Sequence, residues 1–193
     1  MKKDYVVSVL SDYSRLDEIY HLTHDSLVDA EYITPQFNGK VQTSPHLDHI
    51  SETSIVITEQ NGQIVATISV TIDNAHGLPT DNYFKEETEI IRARSNEGVG
   101  VIWRIASRKE YRRNTHLILD TLYRGLQVMY RSSCCICLFV LAEKHVKFYE
   151  RFFDAKIVSR KTTTVDHKIE IPMVLMQADV QRGWNTFKTN TKL

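Results

Sequence analysis

The segment from Cys134 to Ala142 is apolar at nearly every position. A strand with one face in water alternates apolar and polar residues, so this continuous run predicts a strand that is covered on both faces of its sheet. An amphipathic helical repeat, starting at Asn114 or Thr115, comes before it, and Gly100 to Ser107 is typical of another strand. A helix between two such strands predicts a parallel crossover in the middle of the chain.

The segments around this crossover favour antiparallel pairing. Two runs rich in Ile, Val and Thr flank Asn61-Gly62, a dipeptide that suits the positive φ angles of a type I′ hairpin turn. The other predicted strands are Lys3–Leu10, Ser54–Glu59, Ile64–Ile72, Ala155–Ser159 and His167–Gln177, and the other predicted helices are Asp12–Ala30, Asn82–Arg94 and Lys144–Phe153. The predicted fold class is therefore α+β, a mixed and mostly antiparallel central sheet with helices on both faces and one central strand-helix-strand crossover.

Three segments fall outside these elements. Tyr32 to His49 contains two prolines and a glycine, which predicts a loop long enough to carry function. Thr162 to Asp166 is predicted to be a turn, and the tail from Asp179 is predicted to be a frayed helix. With 193 residues, the chain is expected to form a single domain, 1–193, with its own core.

Composition argues against several classes of partner. The formal net charge is zero, so neither nucleic acid nor an anionic membrane is expected to bind. The N-terminal apolar run is broken by Ser8, Ser11 and Asp12, and no apolar stretch is long enough to span a bilayer, so a cytoplasmic location is expected. No metal site is expected, because the cysteines lie within an apolar strand and the histidines lack a third ligand at a suitable spacing. The histidines weighed are His21, His24, His46, His49 and His116.

Phe148-Tyr149-Glu150 lies in the predicted helix that leads into a late strand. This run, the hairpin and the crossover together resemble the GNAT superfamily of acyltransferases. The segment from His76 to Asp81, the acidic helix after it, a strand containing Arg104 and the segment from His145 to Tyr149 narrow the resemblance to N-acyl amino acid synthases. Those enzymes are similar in turn to acyl-homoserine-lactone synthases. The resemblance covers most of the chain, from Ser14 to Met176.

The resemblance implies an acyltransferase that takes an acyl group from a thioester and passes it to the amine of an amino acid or similar small molecule. The donor would be an acyl-phosphopantetheine, carried by acyl carrier protein or by coenzyme A. Tyr149 would protonate the departing thiolate, and Arg104 would be the second catalytic residue. A thiol of pKa about 8.5 and a phenol of pKa about 10 are compatible partners for such a step. The alternative for Tyr149 is a core aromatic residue whose hydroxyl bonds to the backbone.

The predicted donor-binding segment lacks the usual glycine-rich turn. No glycine occurs between Val101 and Arg124, and the run from Arg108 to Asn114 holds four basic residues and one acid. A diphosphate needs close backbone approach, for which glycine is suited, whereas arginines and free helix amides can hold the single phosphate of a phosphopantetheine arm. This favours acyl carrier protein, itself acidic, over coenzyme A; a solvated basic loop is the alternative. The residues predicted to bind the donor are Ile105, Ser107, Arg108, Arg112, Arg113, Asn114, Thr115 and His116.

Arg104 lies within Val-Ile-Trp-Arg-Ile-Ala, and strand alternation predicts it on the opposite face from Trp103 and Ile105. A buried arginine needs a carboxylate or carbonyl partner, so a structural ion pair and an active-site role are both open. The related synthases carry this arginine in an E-x-S-R run, in which Val101 and Trp103 here replace the glutamate and the serine. The residues predicted to bind the acceptor amine are Asp48, His49, Glu52 and Trp103.

These replacements leave two other functions open. The first is an acetyl-coenzyme A-dependent N-acetyltransferase, against which the missing glycines argue. The second is a degenerate domain that binds a thioester or a carrier protein without turnover, and Val101 and Trp103 argue in its favour. The sequence therefore predicts the fold class more firmly than the activity.

Overall fold

The computed structural model describes residues 4–95, 98–165 and 169–190. The strands are β1 (Val6–Val9), β2 (Thr53–Gln60), β3 (Gln63–Ile72), β4 (Gly98–Ser107), β5 (Cys134–Ala142), β6 (Lys156–Val165) and β7 (Ile169–Asp179). The helices are α1 (Leu16–Asp29), α2 (Asp81–Arg94), α3 (Thr115–Arg131), α4 (Val146–Phe153) and α5 (Val180–Asn190). Every predicted strand and helix is thus present, with shifts of a few residues at the ends. Lys3 and His167, where two of the predicted strands begin, lie outside the described residues.

The strands form one sheet in the order β1-β2-β3-β4-β5-β7-β6. Of the strand pairs in the described ranges, only β4 and β5 run parallel, and α3 connects them. The hairpin between β2 and β3 turns at Asn61 and Gly62, which have φ angles of 52° and 77° as a type I′ turn requires. The predicted fold class is confirmed.

Helices cover both faces of the sheet. On one face, α3, α4 and α5 enclose a core that includes Ile102, Leu122 and Phe139. On the other face, α1 and α2 enclose two smaller clusters, one around Ile19 and Ile55 and one that includes Leu47, Phe84, Val101, Trp103 and Leu138. The apolar run of β5 is explained by this arrangement, because successive side chains enter cores on opposite faces.

One late segment differs from its predicted structure, and the C-terminal tail is helical as predicted. Residues 162–165 belong to β6 rather than to a turn, since the β-branched threonines there pair with β7, for example Thr163 with Ile171; Asp166 lies outside the described residues. The tail, predicted to be a frayed helix, forms α5 from Val180 to Asn190, and residues 191–193 lie outside the described residues. Its Val180 and Trp184 are buried, and the Trp184 ring stacks on Tyr130 of α3 at a centroid distance of 5.8 Å.

Candidate active site

The two parallel strands, β4 and β5, separate partway along their length. Their pairing ends at Ile102 opposite Phe139, yet β4 continues to Ser107 and β5 continues to Ala142. Beyond Ile102, the edge of β4 that faces β5 therefore has no strand partner among the described residues. This divergence opens a cleft in the middle of the sheet, at the end where α3 and α4 begin.

β4 carries a bulge just beyond the point of separation. Ser69 of β3 pairs with Trp103 and Thr67 pairs with Ala106, so Arg104 and Ile105 together face the single residue Ile68. Arg104 has a φ of 48°, a left-handed conformation that costs an L-residue roughly 1–2 kcal/mol. Bulges of this kind re-aim side chains and are frequent next to active sites.

The bulge reverses the predicted orientation of Arg104. Its guanidinium carbon lies 4.4 Å from the centroid of the Trp103 ring, so the two side chains share the face covered by α1 and α2. The prediction that Arg104 lies on the face opposite Trp103 is therefore wrong, because the bulge breaks strand alternation between these two residues. Ile105 packs against the core on the other face, opposite Arg104 as predicted, but also opposite Trp103, with which it was predicted to share a face.

Arg104 belongs to a buried polar cluster that is drawn from three segments of the chain. Its Nη2 donates to Asp48 Oδ1, and the Tyr20 hydroxyl of α1 donates to Asp48 Oδ2 over 2.7 Å. The Arg104 and Asp48 side chains are 0% and 1% exposed. Burial and then the hydrogen bond to Asp48 raise the pKa of Tyr20 to about 12, so this hydroxyl keeps its proton at neutral pH.

Trp103 is fixed by a row of buried hydroxyl groups. Its Nε1 donates to Thr71 Oγ1 over 2.9 Å, and Thr71 Oγ1 lies 2.8 Å from Thr53 Oγ1. Within the part of the chain that the structure describes, three buried polar atoms next to this row have no hydrogen-bond partner. They are Ser69 Oγ, Arg104 Nε and Arg104 Nη1.

Tyr149 lies on the opposite face of the sheet from Arg104, in the middle of α4. Its ring is buried and lies 4.8 Å from that of Phe139, the last β5 residue to pair with β4. Burial, followed by the nearby Cys137 thiol, raises the pKa of Tyr149. No residue within 4–95, 98–165 or 169–190 makes a hydrogen bond with its hydroxyl, so the expected alternative of a backbone-bonded core tyrosine finds no support there.

The predicted donor-binding residues lie at the open end of the cleft. Asn114 caps α3, because its Oδ1 accepts from the Leu117 amide over 3.1 Å. Arg108 Nε donates to the Ile64 carbonyl over 3.1 Å, and Arg112 pairs with Asp29 over 3.0 Å. Arg113, Thr115 and His116 are exposed. Two of the three arginines are thus partly engaged by the protein, and Arg113 extends into solvent.

The segment 31–52, called the cover loop here, is held across this region. Its Gln36 amide donates to His24 Nε2 over 3.0 Å, and its Gly39 carbonyl lies 2.7 Å from His21 Nδ1. At the other side of the cleft, Lys144, just before α4, places its Nζ 4.7 Å from the Tyr32 ring centroid. The cover loop therefore connects α1 with the start of α4, and it supplies Asp48 to the buried cluster.

The structure separates the predicted acceptor-binding residues. Asp48 and Trp103 meet Arg104 in the buried cluster. His49 is exposed with its ring 5.6 Å from that of Tyr13, and Glu52 is exposed and bonded to the Ser51 hydroxyl over 2.9 Å. Two buried residues here carry no functional signal in the sequence: Tyr20 fits the apolar spacing of α1, and Ser69 has no local signal at all.

Two further properties bear on the chemistry available. Among the described residues, the helices are all too short or too polar to cross a bilayer. Over the same ranges, no group of three His, Cys, Asp or Glu side chains is placed to hold a metal ion.

Comparisons with known proteins agree on one family and one fold. A sequence profile described as N-acyl amino acid synthase FeeM matches residues 18–179. The structure of FeeM, an N-acyl amino acid synthase from uncultured soil microbes, superposes with a TM-score of 0.74 at 13% identity, over 92% of this chain and 91% of that chain. A search of curated protein sequences finds no match.

Two other solved structures share the fold at similarly low sequence identity, 10% and 17%. The coenzyme A-dependent acyl-homoserine lactone synthase BjaI has a TM-score of 0.70 at 10% identity, over 96% of this chain and 89% of that chain. An acyl-CoA N-acyltransferase from Pseudomonas aeruginosa has a TM-score of 0.59 at 17% identity, over 91% of this chain and 98% of that chain. These likenesses show a common architecture, and the family match covers the cleft, the bulge and α4.

Proposed function

Since the chain belongs to the family of the N-acyl amino acid synthase FeeM, we propose that it moves an acyl group from a phosphopantetheine thioester to the amine of a small acceptor. The observation that carries this proposal is the cleft between β4 and β5, with Tyr149 packed against Phe139 where the strands part. The unpaired edge of β4 from Trp103 to Ser107 can take hydrogen bonds from an extended pantetheine arm. The thioester would then lie between the acceptor and Tyr149.

The proposed reaction needs few catalytic groups. The amine nitrogen attacks the thioester carbon, the carbon–sulfur bond breaks, and an amide and a free thiol result, with the proton lost by the amine balancing the one gained by the thiolate. Because its pKa is raised, the Tyr149 hydroxyl stays protonated at neutral pH and stabilises the departing sulfur by donating a hydrogen bond. Backbone amides beside the bulge would polarise the carbonyl, and binding in the cleft would supply the positioning.

The basic segment before α3 supports acyl carrier protein as the donor. Arg113 is exposed next to the α3 N-terminus, whose partial positive charge also favours a phosphate. Lys144 and Lys147 are exposed on the other side of the cleft, at the start of α4. Positive groups on both sides of the opening suit an acidic carrier protein, because complementary charge speeds encounter and fixes orientation.

The proposed function is tested by thiol release. Long-chain acyl carrier protein, long-chain acyl-coenzyme A and acetyl-coenzyme A are each offered with a pool of amino acids, and free thiol and amide product are measured. Amine-dependent release from the carrier protein is the expected result. Release from acetyl-coenzyme A alone would assign the chain to the acetyltransferases, and binding of a donor without release would identify a domain that has lost turnover.

We expect Arg113→Glu to raise the KM for acyl carrier protein about ten-fold at low salt, with less effect at high salt because exposed charges are screened. Acyl-pantetheine, which lacks both the phosphate and the protein, should be used equally well by the variant and the wild type. Arg160→Glu is the matched control, since Arg160 is an exposed arginine on β6 that pairs with Glu143. Equal losses with acyl-pantetheine and with carrier protein would argue against a docking role for Arg113.

A further inference from the structure

A cavity of about 280 Å³ lies between β1, α3 and α5. Three of the side chains that line it are aromatic, namely Tyr5, Tyr123 and Trp184. None of its described lining residues belongs to the cleft between β4 and β5 or to the buried cluster around Arg104. Ligand pockets typically measure about 300–1,000 Å³, so a cavity of this size suits a small ligand.

Arg124, in the middle of α3, brings a positive charge to the wall of this cavity. Its Nη1 donates to the neutral Gln127 Oε1, and its Nε is buried without a hydrogen-bond partner. In the described ranges Arg124 makes no ion pair, and the Asp120 carboxylate, four residues earlier on α3, accepts a hydrogen bond from the Tyr5 hydroxyl. A half-buried guanidinium without a counter-ion is costly, so this position favours an anion from outside the protein.

One nitrogen of this guanidinium remains available to a ligand. Arg124 Nη2 makes no hydrogen bond in the described ranges, and it is not enclosed by the protein. A carboxylate can therefore reach it in the structure as it stands, through a charge-assisted bond roughly twice as strong as a neutral one. A single negative charge is favoured over a phosphate, because the Asp120 carboxylate also lines the cavity and repels a larger charge.

The aromatic side chains of the cavity are held in place before any ligand binds. The Tyr123 ring packs on Phe153 at a centroid distance of 5.2 Å, and the Trp184 ring stacks on Tyr130 at 5.8 Å. Rings that are already ordered lose little side-chain entropy on binding. They favour a planar aromatic ligand, because aromatic pairs gain energy beyond their buried area.

We propose that this cavity is a second ligand site, separate from the cleft, and that it takes a small aromatic monocarboxylate. The carboxylate accepts a hydrogen bond from Arg124 Nη2, and the aromatic ring packs against Tyr5, Tyr123 and Trp184. The inference goes beyond the proposed function, because this ligand is bound and not transformed. Binding at this site is therefore measured without any acyl donor.

Isothermal titration calorimetry with three probes tests the site. Phenylacetate carries the ring and the charge, phenylacetamide is its neutral isostere, and acetate carries the charge alone. For the wild type, we expect phenylacetate to bind with a Kd of about 1 mM or below, about ten-fold tighter than phenylacetamide, and acetate not to bind. Equal affinities of phenylacetate and either other probe, or no binding of phenylacetate, would overturn the proposal.

Arg124→Gln should weaken phenylacetate binding about ten-fold and leave phenylacetamide binding unchanged, because glutamine keeps a polar side chain without the charge. Arg131→Gln is the matched control, since Arg131 is an exposed arginine in the last turn of the same helix, and it should leave both affinities unchanged. The melting temperature should not fall in Arg124→Gln, because this change breaks no ion pair within the described ranges. Equal losses in the two variants would reveal a general effect of net charge and would count against the site.

Val7→Phe tests the cavity itself and covers the case in which Arg124→Gln does not fold. Val7 lines the cavity from β1 and is half-buried, so a phenylalanine there should fill the space that the ligand ring needs. Phenylacetate binding should fall about ten-fold or more through this steric clash, and thiol release should be unchanged because Val7 lies outside the cleft. Undiminished binding in both variants would place phenylacetate elsewhere, such as in the cleft, and the second site would be overturned.

Discussion

Tyr149→Phe should lower kcat for thiol release about 100-fold or more, with little change in the KM for the donor. The hydroxyl is expected to act on the departing sulfur, and an interaction made only in the transition state lowers kcat and kcat/KM together. Phenylalanine keeps the ring contacts with Phe139 and Phe153, so the fold should be retained. Steady-state kinetics with the preferred donor, together with a thermal melt, checks both parts.

Tyr123→Phe is the matched control for this variant. Tyr123 is also buried and also packs on Phe153, at a centroid distance of 5.2 Å, but its hydroxyl donates to the Phe152 carbonyl. Its loss should cost some stability and leave kcat unchanged. Equal rates for wild type and Tyr149→Phe would show that Tyr149 is a core aromatic residue and that another group assists thiol release.

The raised pKa of Tyr149 also determines how kcat should depend on pH. A group whose pKa rises on folding keeps its proton to higher pH than the same group in an unfolded chain. Ionisation of this phenol should therefore cause no loss of activity up to about pH 10, the usual pKa of tyrosine. A fall in kcat below that pH would have to come from a different group.

Asp48→Ala is expected to lower the free energy of unfolding by about 3–5 kcal/mol, because it leaves the Arg104 charge buried without a counter-ion. The same change removes the partner of the Tyr20 hydroxyl, which is buried too. Urea unfolding monitored by tryptophan fluorescence gives the value, since Trp103 packs directly on Arg104. Glu143→Ala, which breaks the exposed pair with Arg160, should lower the free energy of unfolding by about 1 kcal/mol or less in the same measurement.

The double variant Asp48→Leu/Arg104→Met covers the case in which Asp48→Ala does not fold. Removing both charges leaves no uncompensated ion, so most of the lost stability should return. Recovery of the fold without recovery of acyl transfer would show that the pair is kept for binding rather than for stability. A double variant as unstable as Asp48→Ala would mean that the loss comes from packing at this position.

Local signals account for what the sequence predicts well. Asn61-Gly62 predicts the hairpin because the turn depends on two residues, and Asn114 predicts the start of α3 because a cap acts within one turn. The bounds of β5 match the apolar run from Cys134 to Ala142 for the same reason. The prediction for Tyr149 rests on a family resemblance of the short run Phe148-Tyr149-Glu150, whose residues are neighbours both in sequence and in space.

The buried cluster depends on contacts between residues that are far apart in sequence, and no local sequence pattern predicts such contacts. One extra residue in β4 turns Arg104 to the other face, and strand alternation cannot reveal where such a bulge falls. Asp48 meets Arg104 across 56 positions of sequence, and Tyr20 meets Asp48 across 28. His49 and Glu52 were predicted together with Asp48 because the related synthases bring acidic residues toward the acceptor from the segment before the first hairpin strand. The 3-10 turn at Pro45–Leu47 directs only Asp48 inward.

The separation of β4 from β5 also divides the molecule into two folding units. β1 to β4 form one antiparallel meander, whereas β5, β7 and β6 form an antiparallel unit in which β7 lies between the other two. The β2–β3 and β6–β7 hairpins pair residues that are close along the chain, and the other strand pairs join residues that are far apart in sequence. The seam between the units extends only from Gly98 to Ile102, and it can close only after α3 has brought β5 alongside. Contacts of high sequence separation form late because chain entropy opposes them. The amides of this seam should therefore gain protection from hydrogen exchange after those of the β2–β3 and β6–β7 hairpins during refolding, so that the cleft takes shape only after both hairpins have formed.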